Sequence, residues 1–353
     1  MAVYTTIDDP TAYFQTTLYT GDDSTSHAIT NGGNSDLQAD WLWLKPRTKV
    51  DNHRWMDSVR GVTKMSPSNS SGAEETISAG LASFDSNGFT LNTTDSGYNS
   101  SSYTYVAWCW KAGTSFTNDA SSTGVGSIDS TASVSQTAGF SIVKYTGTGS
   151  NETVAHGLGL APEIMICKNL SATENWVVYV KSLGNTKRLV LDTTAAVGTD
   201  ATIFNSTTPN TTIFGIGENA GANGNGHGQI AYCFASVKGY SKIGRYTGNS
   251  NADGAYVHLG FKPAFLMVKR TDAAYRWTIS DNKRIGFNRI IHGLAADSTA
   301  AEETGAAYGE FDFTANGFKC RSAEDGMNVG NMIYMAFAES PFVTSTGIPA
   351  TAR

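Results

Sequence analysis

The chain has 353 residues, of which 40% are hydrophobic and 16% are charged, and its net charge is -6 at pH 7. This length is sufficient for two or three domains with apolar cores, and the abundance of Gly, Ser, Thr and Asn favours strands and turns over long helices. The acidic balance, with no long run of one sign, argues against nucleic-acid binding, which needs a clustered basic surface.

Neither a signal peptide nor a membrane helix is indicated. Residues 1–9 lack the basic start and apolar run of a signal peptide, and no stretch of eighteen apolar residues occurs. We therefore expect synthesis in a cytoplasm and no membrane insertion. The four cysteines are widely spaced without a CxxC pair, which predicts buried thiols rather than a zinc site or disulfides.

Several short stretches predict β-strands. The runs at 41–44, 164–167 and 265–268 are apolar throughout and each is followed by a lysine. Such a run is typical of a central strand that is covered on both faces. The Asn-Gly pairs at 87–88 and 316–317 indicate tight turns that reverse the chain.

Internal repeats relate these stretches. The Tyr-Thr-Gly run at 145–147 recurs at 246–248, and the Asn-Gly-Phe run at 87–89 recurs at 316–318. Trp55, Trp176 and Trp277 are placed at related positions after the central strand. The final strands are aligned as 107–109, 231–233 and 336–338.

The matches predict an all-β chain with three related β-sandwich modules in tandem, of a jelly-roll or concanavalin-like kind. The predicted division is an N-terminal segment at 1–19, a first copy at 20–112, a linker at 113–138, a second copy at 139–238, a third copy at 239–343 and a C-terminal tail at 344–353. The linker is rich in Ser, Thr and Gly, so we expect it to be a flexible tether. The second and third copies nearly abut and should be rigidly coupled.

The first copy contains four specific runs, at 39–47, 53–61, 83–89 and 105–113. Together they resemble a domain of bacteriophage virion proteins, frequent in marine phages and found in tail, fibre and other structural proteins. The resemblance extends over nearly the whole chain and implies a concanavalin-like sandwich without catalytic residues. The later copies lack the Asp-Ser-Val-Arg-Gly run of 57–61, so any contact made by Asp57 or Arg60 is expected in the first copy alone.

Candidate binding residues come from aromatic and amide side chains. Trp55, Trp176 and Trp277 would either fill the core of their own copies or stack on sugars. Asn223 and Asn225 lie in a glycine-rich stretch that we expect to form a long mobile loop with an exposed contact surface.

We predict no catalytic, cofactor or metal residues. The histidines show neither HxH nor HExxH spacing. The adjacent pairs Glu74/Glu75 and Glu302/Glu303 do not by themselves give the two opposed carboxylates that glycoside hydrolysis requires.

The expected function is that of a non-enzymatic virion protein, associated with the tail or a fibre and made in the host cytoplasm. Its expected partners are other virion proteins, further copies of itself, as a trimer if it is a fibre, and host surface polysaccharide. A capsid decoration protein and a glycan depolymerase are the alternatives.

Overall fold

The computed structural model describes residues 4–305 and 308–349, and antiparallel β-sheets dominate them. The prediction of an all-β sandwich architecture is confirmed. Each copy contributes one larger sheet, called here its main sheet, and one smaller outer sheet, and the first copy also has a separate two-stranded sheet.

The first copy begins with a 3₁₀ turn at Pro10–Ala12, which the side chain of Asp9 caps. Its strands are β1 (Phe14–Thr20), β2 (His27–Thr30), β3 (Trp41–Pro46), β4 (Arg54–Asp57), β5 (Lys64–Met65), β6 (Glu75–Thr76), β7 (Leu81–Asp85), β8 (Gly88–Leu91) and β9 (Thr104–Trp110). The main sheet has the order β1-β9-β3-β4 and the outer sheet β2-β8-β7. The predicted Asn-Gly turn at 87–88 joins β7 to β8.

The second copy has the largest main sheet. Its elements are β10 (Thr114–Asn118), α1 (Ala120–Thr123), β11 (Ser130–Ser135), β12 (Phe140–Thr146), β13 (Glu152–Ala155), β14 (Ile164–Asn169), β15 (Val177–Val180), β16 (Lys187–Val190), β17 (Gly198–Thr199), β18 (Ile213–Ile216), α2 (Ala220–Asn223) and β19 (Gly228–Phe234). The main sheet has the order β10-β11-β12-β19-β14-β15-β16-β17, and the outer sheet pairs β13 with β18.

The third copy repeats this plan. Its elements are β20 (Ser241–Thr247), β21 (Tyr256–His258), β22 (Phe261–Arg270), β23 (Trp277–Asp281), β24 (Leu294–Ala295), β25 (Phe311–Thr314), β26 (Gly317–Cys320), α3 (Asp325–Asn328) and β27 (Asn331–Pro341). The main sheet has the order β20-β27-β22-β23-β24 and the outer sheet β21-β26-β25. The Asn-Gly turn at 316–317 joins β25 to β26.

Two of the predicted boundaries are wrong. The segment 113–138 is not a flexible tether, because β10 and β11 extend the second main sheet along β12. The segment 1–19 contains most of β1, which pairs along its whole length with β9 and so belongs to the first copy. Polar composition misled the linker prediction, since small Ser and Thr side chains also occur in paired strands such as β10 and β11.

A shared core joins the three copies. Each central strand turns alternate side chains towards its own outer sheet and towards this central core: in β3, Leu42 and Leu44 face outward while Trp41 and Trp43 face inward. The central core takes residues from all three main sheets and contains all seven tryptophans of the chain. The predicted central strands are therefore buried on both faces, but the copies are not separate modules joined by tethers.

Equivalent lysines show how the copies are arranged. Lys45, Lys168 and Lys269 pair with Val106, Ile230 and Ile333 on the neighbouring strand of each main sheet. Each Nζ also donates to a backbone carbonyl of another copy: Lys168 to Ser71 at 3.0 Å, Lys269 to Thr194 at 2.9 Å and Lys45 to Thr299 at 3.4 Å. The second copy thus contacts the first, the third contacts the second, and the first contacts the third. Head-to-tail contacts that return to the first copy after three units arrange the copies as a ring with an approximate threefold axis.

The same register corrects one alignment. Because Ile333 is level with Val106 and Ile230, the third-copy match to 107–109 and 231–233 is 334–336. The predicted match, 336–338, is two residues too late. A shift of two keeps every side chain on the same face of the sheet, so the hydrophobic pattern alone did not reveal it.

Candidate functional site

The three tryptophans proposed as sugar contacts are inaccessible. Trp55, Trp176 and Trp277 are at most 1% exposed and lie in the central core. No sugar can stack on them in this structure, so that expectation is wrong. The alternative also needs correction, because these side chains fill the core between copies rather than the core of their own copy.

The tryptophans are not all equivalent. By strand register, Trp55 is equivalent to Val178 of the second copy and Ile279 of the third. The residue of the first copy that is equivalent to Trp176 and Trp277 is His53. Burial lowers the pKa of His53 well below its usual value, so the ring is neutral. Each of the three equivalent rings donates to a carbonyl of another copy: His53 Nε2 to Ala295 at 3.0 Å, Trp176 Nε1 to Pro67 at 2.9 Å and Trp277 Nε1 to Val190 at 2.8 Å. These three side chains, like the three lysines, therefore connect each copy to the next around the threefold axis.

A buried ion-pair network lies at the contact between the first and second copies. Asp57 accepts from Arg60 at 2.5 Å and from the Tyr232 hydroxyl of the second copy at 2.7 Å, and Arg60 reaches Glu74 at 3.2 Å. Although burial acts to lower it, the charges of Asp57 and Glu74 raise the pKa of Arg60. The guanidinium therefore stays charged inside the protein.

The third copy has the same network, so the expectation that it is confined to the first copy is wrong. Asp281 accepts from Arg284 at 2.6 Å and from Trp108 Nε1 of the first copy at 3.1 Å. Arg284 in turn reaches Glu302 at 3.3 Å. The sequence comparison missed this network because residues 281–285 retain only the Asp and the Arg of the Asp-Ser-Val-Arg-Gly run.

The exposed candidate site consists of three loops with one design. These anchored loops comprise residues 21–26, 147–151 and 248–255, which follow β1, β12 and β20 and lead into the first strand of each outer sheet. A Tyr-Thr-Gly run leads into each loop, including Tyr19-Thr20-Gly21, which the sequence comparison missed because it began the first copy at residue 20. The loops contain mainly Asp, Ser, Thr, Asn and Gly, and most of their residues are exposed or half-buried.

Each anchored loop is held by a buried asparagine, and the three are Asn99, Asn223 and Asn328. The Asn99 amide donates to Ser24 O at 2.8 Å, that of Asn223 to Ser150 O at 2.5 Å and that of Asn328 to Asn251 O at 2.7 Å. Their Oδ1 atoms accept from backbone N–H groups of the same loops: Asp22 at 3.2 Å, Thr148 at 2.7 Å and Asn249 at 3.2 Å. The loops are exposed, but their backbones are fixed at both ends.

The glycines of the Tyr-Thr-Gly runs allow this contact. A Cβ on Gly21, Gly147 or Gly248 would overlap backbone atoms next to the anchoring asparagine. The tyrosine hydroxyls complete the motif by donating to the carbonyl just before the asparagine, as Tyr145 does to Ala222 O at 2.7 Å. The motif is thus a device that holds a loop, and it occurs once per copy.

Asn223 and Asn225 therefore differ in role. Asn223 is buried and structural, with a further hydrogen bond to Gly217 O at 2.7 Å. Asn225 is exposed beside the second anchored loop, and its part in binding stays a prediction. The first part of the expected long loop is a short helix, α2, capped by Asn219, and Asn225 lies in the turn that follows it.

The acidic pairs do not form an opposed carboxylate site. Glu74 is engaged by Arg60, and Glu302 by Arg47 at 2.9 Å, while the second member of each pair is exposed. Within residues 4–305 and 308–349, no group of His, Cys, Asp and Glu side chains is placed to hold a metal ion. All four cysteines are buried free thiols, as the sequence predicts.

The matched family spans the whole ring. A family model described as a domain of unknown function, DUF7483, matches residues 9–341. The chain belongs to the DUF7483 family. Because the match extends from before β1 to the end of β27, one DUF7483 domain corresponds to all three copies together. Searches of curated proteins and of solved structures each gave no significant match.

Helices in this DUF7483 domain are short. In the described part of the chain, none combines the length and the apolar character required to cross a membrane.

Proposed function

We propose that this DUF7483 chain is a non-enzymatic structural protein of a bacteriophage virion, associated with the tail or its fibres, which contacts host surface glycans. The observation that carries the proposal is the set of three equivalent anchored loops around one axis. Equivalent parts of a threefold ring lie at the same level along its axis, so the three loops face the same side. The resemblance of the runs at 39–47 and 53–61 to phage virion proteins supports the setting.

The anchored loops are suited to hydrogen bonding with a polar polymer. They present carboxylates, amides and hydroxyls such as Asp23, Asn151 and Ser250, and these groups complement the hydroxyls of a glycan. Their backbones are already held by buried asparagines, so little conformational entropy is lost on binding. Three weak contacts on one rigid body also act together, which raises the overall affinity.

The ring also suits a symmetric assembly partner. A chain with an approximate threefold axis can sit on a threefold axis of a fibre or shell without being a trimer itself. A capsid decoration protein uses the same geometry, and it is the second candidate. The expected homo-oligomer remains a prediction.

Particle composition tests the virion role. We expect the chain in purified intact particles at a fixed ratio to the major subunits, measured by quantitative mass spectrometry, with gold-labelled antibody at the tail. Label on the shell would favour the decoration role over the tail role, and absence from intact particles would refute both.

Loop substitutions test the binding mode. We expect Asp23→Ala and Asn151→Ala together to reduce binding of the purified chain to host cells, while Asp36→Ala, an exposed change outside the anchored loops, leaves it unchanged. Equal binding by both variants would show that the loops are not the contact surface.

A further inference from the structure

The equivalent strands β1, β12 and β20, which lead into the anchored loops, have different surroundings. β11 covers the edge of β12, pairing with it from Ser130 to Ser135. In the described part of the chain, β1 pairs only with β9. Hydrogen bonds at both ends of that ladder run from Lys111 N to Tyr13 O and from Gly21 N to Tyr103 O. They show that the odd-numbered residues of β1 direct their N–H and C=O groups towards β9. It follows that the N–H and C=O groups of Phe14, Thr16 and Leu18 point to the open edge.

β11 occupies the contact between the first and second copies. Its Ser133 is paired with Ile142 of β12 and donates to Asp40 Oδ1 of the first copy at 3.2 Å. Ser133 also accepts from Gly113 N at 2.9 Å. A strand of small hydroxyl residues thus covers the edge of β12, is itself paired with β10 on its other side, and contacts the neighbouring copy through a side chain.

The contact between the second and third copies is closed in another way. Ser236 Oγ accepts from Ile243 N on the edge of β20 at 3.0 Å. Arg245 on the same strand donates to Ser182 O at 3.1 Å. The second copy therefore contacts this edge directly, through the Ser236 side chain and the Ser182 carbonyl.

At the contact between the third and first copies, the edge of β1 is open in the described part of the chain. A cleft of about 340 Å³ lies between β1 and the third copy, and its lining includes Thr16, Leu18, Ala264, Asn282 and Lys283. Phe265 of β22 and Trp41 of β3 are equivalent residues that face the central core. Ala264, just before Phe265, is therefore the counterpart of Asp40, the residue of the first copy that contacts β11.

Two polar atoms in the cleft lack partners. Thr16 Oγ1 and Asn282 Oδ1 are buried without a hydrogen bond to any described residue. Thr16 as a whole is only 8% exposed. Buried polar atoms in folded proteins are nearly always hydrogen-bonded, so a segment in the cleft that carries hydroxyl groups would satisfy both atoms. By the strand register, Thr16 of β1 is the counterpart of Ile142 of β12, the residue that pairs with Ser133 in the filled contact.

We propose that this cleft binds an extended segment of another protein, which adds to β1 as an antiparallel strand in the position that β11 takes on β12. The segment carries small hydroxyl residues, as β11 does, because one of them must donate to Asn282 Oδ1 and meet Thr16. The exposed Lys283 at the cleft favours an acidic residue nearby.

This inference does not rest on the virion role, since strand addition depends only on the edge and the cleft. The test uses a synthetic peptide with blocked ends and the sequence of residues 129–137, which contains β11, added to the full chain. Amide hydrogen exchange at Thr16 and Leu18 reports whether the edge has become paired. We expect these two amides to exchange at least about tenfold more slowly with peptide at millimolar concentration.

Matched variants separate strand pairing from non-specific binding. Leu18→Pro removes an edge N–H without removing a bond to β9, and we expect it to weaken peptide binding about tenfold or more, whereas Leu18→Ala retains binding. Asn282→Ala leaves β1 unchanged and should also weaken peptide binding. It replaces Leu18→Pro as the test if the proline variant does not fold. Unchanged exchange at Thr16 and Leu18, or equal peptide affinity in Asn282→Ala and the unmodified chain, would overturn the proposal.

Discussion

The first and second copies use opposite chemistry at the same place in the ring. In the first copy, Asp57, Arg60 and Glu74 form a buried charged network that receives the Tyr232 hydroxyl. In the second copy the register places the apolar residues Val180, Leu183 and Val197 at these positions. The partner changes as well, since the third-copy counterpart of Tyr232 is Met335, which has no donor.

The comparison shows that the residues on the two sides of a contact between copies must match each other, whether all are polar and paired or all are apolar. A buried ion pair often adds little net stability compared with well-packed apolar residues, whereas a single unpaired buried charge is costly. The chain contains both solutions, so each can be converted into the other.

The largest expected effect comes from breaking the charged set at one residue. Asp57→Val leaves the Arg60 guanidinium and the Tyr232 hydroxyl without their main partner in a buried site. We expect a loss of about 3–5 kcal/mol in the free energy of unfolding, measured by urea denaturation. A loss below about 1 kcal/mol would contradict the account of this network.

Complete conversion is the matched control. The variant Asp57→Val/Arg60→Leu/Glu74→Val/Tyr232→Met reproduces the apolar set found between the second and third copies. We expect it to recover most of the stability lost by Asp57→Val, to within about 1–2 kcal/mol of the unmodified chain. If it were no more stable than the single variant, the two sets would not be interchangeable.

The loop anchors provide the next contrast. Asn223→Ala removes hydrogen bonds to Thr148 N, Ser150 O and Gly217 O. We expect a loss of about 1–3 kcal/mol and faster amide exchange in residues 147–151. The exposed Asn225→Ala, two residues away, should change stability by less than about 0.5 kcal/mol. Equal effects of the two substitutions would remove the distinction between anchor and surface residue.

The equivalent lysines at the contacts between copies predict a smaller effect, a pH dependence of the free energy of unfolding. Burial lowers the pKa of Lys45 to about 7, while the unfolded chain has the ordinary value near 10.4. Between these values the unfolded state binds more protons, so this lysine makes the free energy of unfolding rise with pH.

Lys45→Met should remove that contribution. We expect the free energy of unfolding of the variant to rise less steeply than that of the unmodified chain above about pH 7, by up to about 1.4 kcal/mol per pH unit. Below that pH the two curves should run parallel. Urea titrations at several pH values measure this, and parallel curves up to about pH 9 would contradict the assignment.

Local pattern predicted the strands but not their assembly. The doubly apolar runs around Trp41, Ile164 and Phe265 correctly indicated strands covered on both faces. They could not show that the second cover is the other two copies, because a side chain that faces a neighbouring sheet and one that faces another copy have the same hydrophobicity. Alignment by tryptophan also failed, since His53 performs the contact that Trp176 and Trp277 make.

The candidate site was predictable only in part. Asn223 was selected from its glycine-rich surroundings, but its burial reverses the role expected for it. Asn99 and Asn328 carried a usable signal, because both follow the repeated glycines Gly97 and Gly326 by two residues. The open edge of β1 carried none, since strand pairing between distant segments is not visible in local composition.

Cooperative unfolding tests the central claim, that three copies share one core, most directly. Amide exchange at Val106, Ile230 and Ile333, which occupy equivalent places in the three main sheets, should report one common unfolding free energy in the full chain. Asp57→Val, a change in the first copy, should lower all three values equally. If only the value at Val106 fell, the copies would be independent units and the shared ring would be refuted.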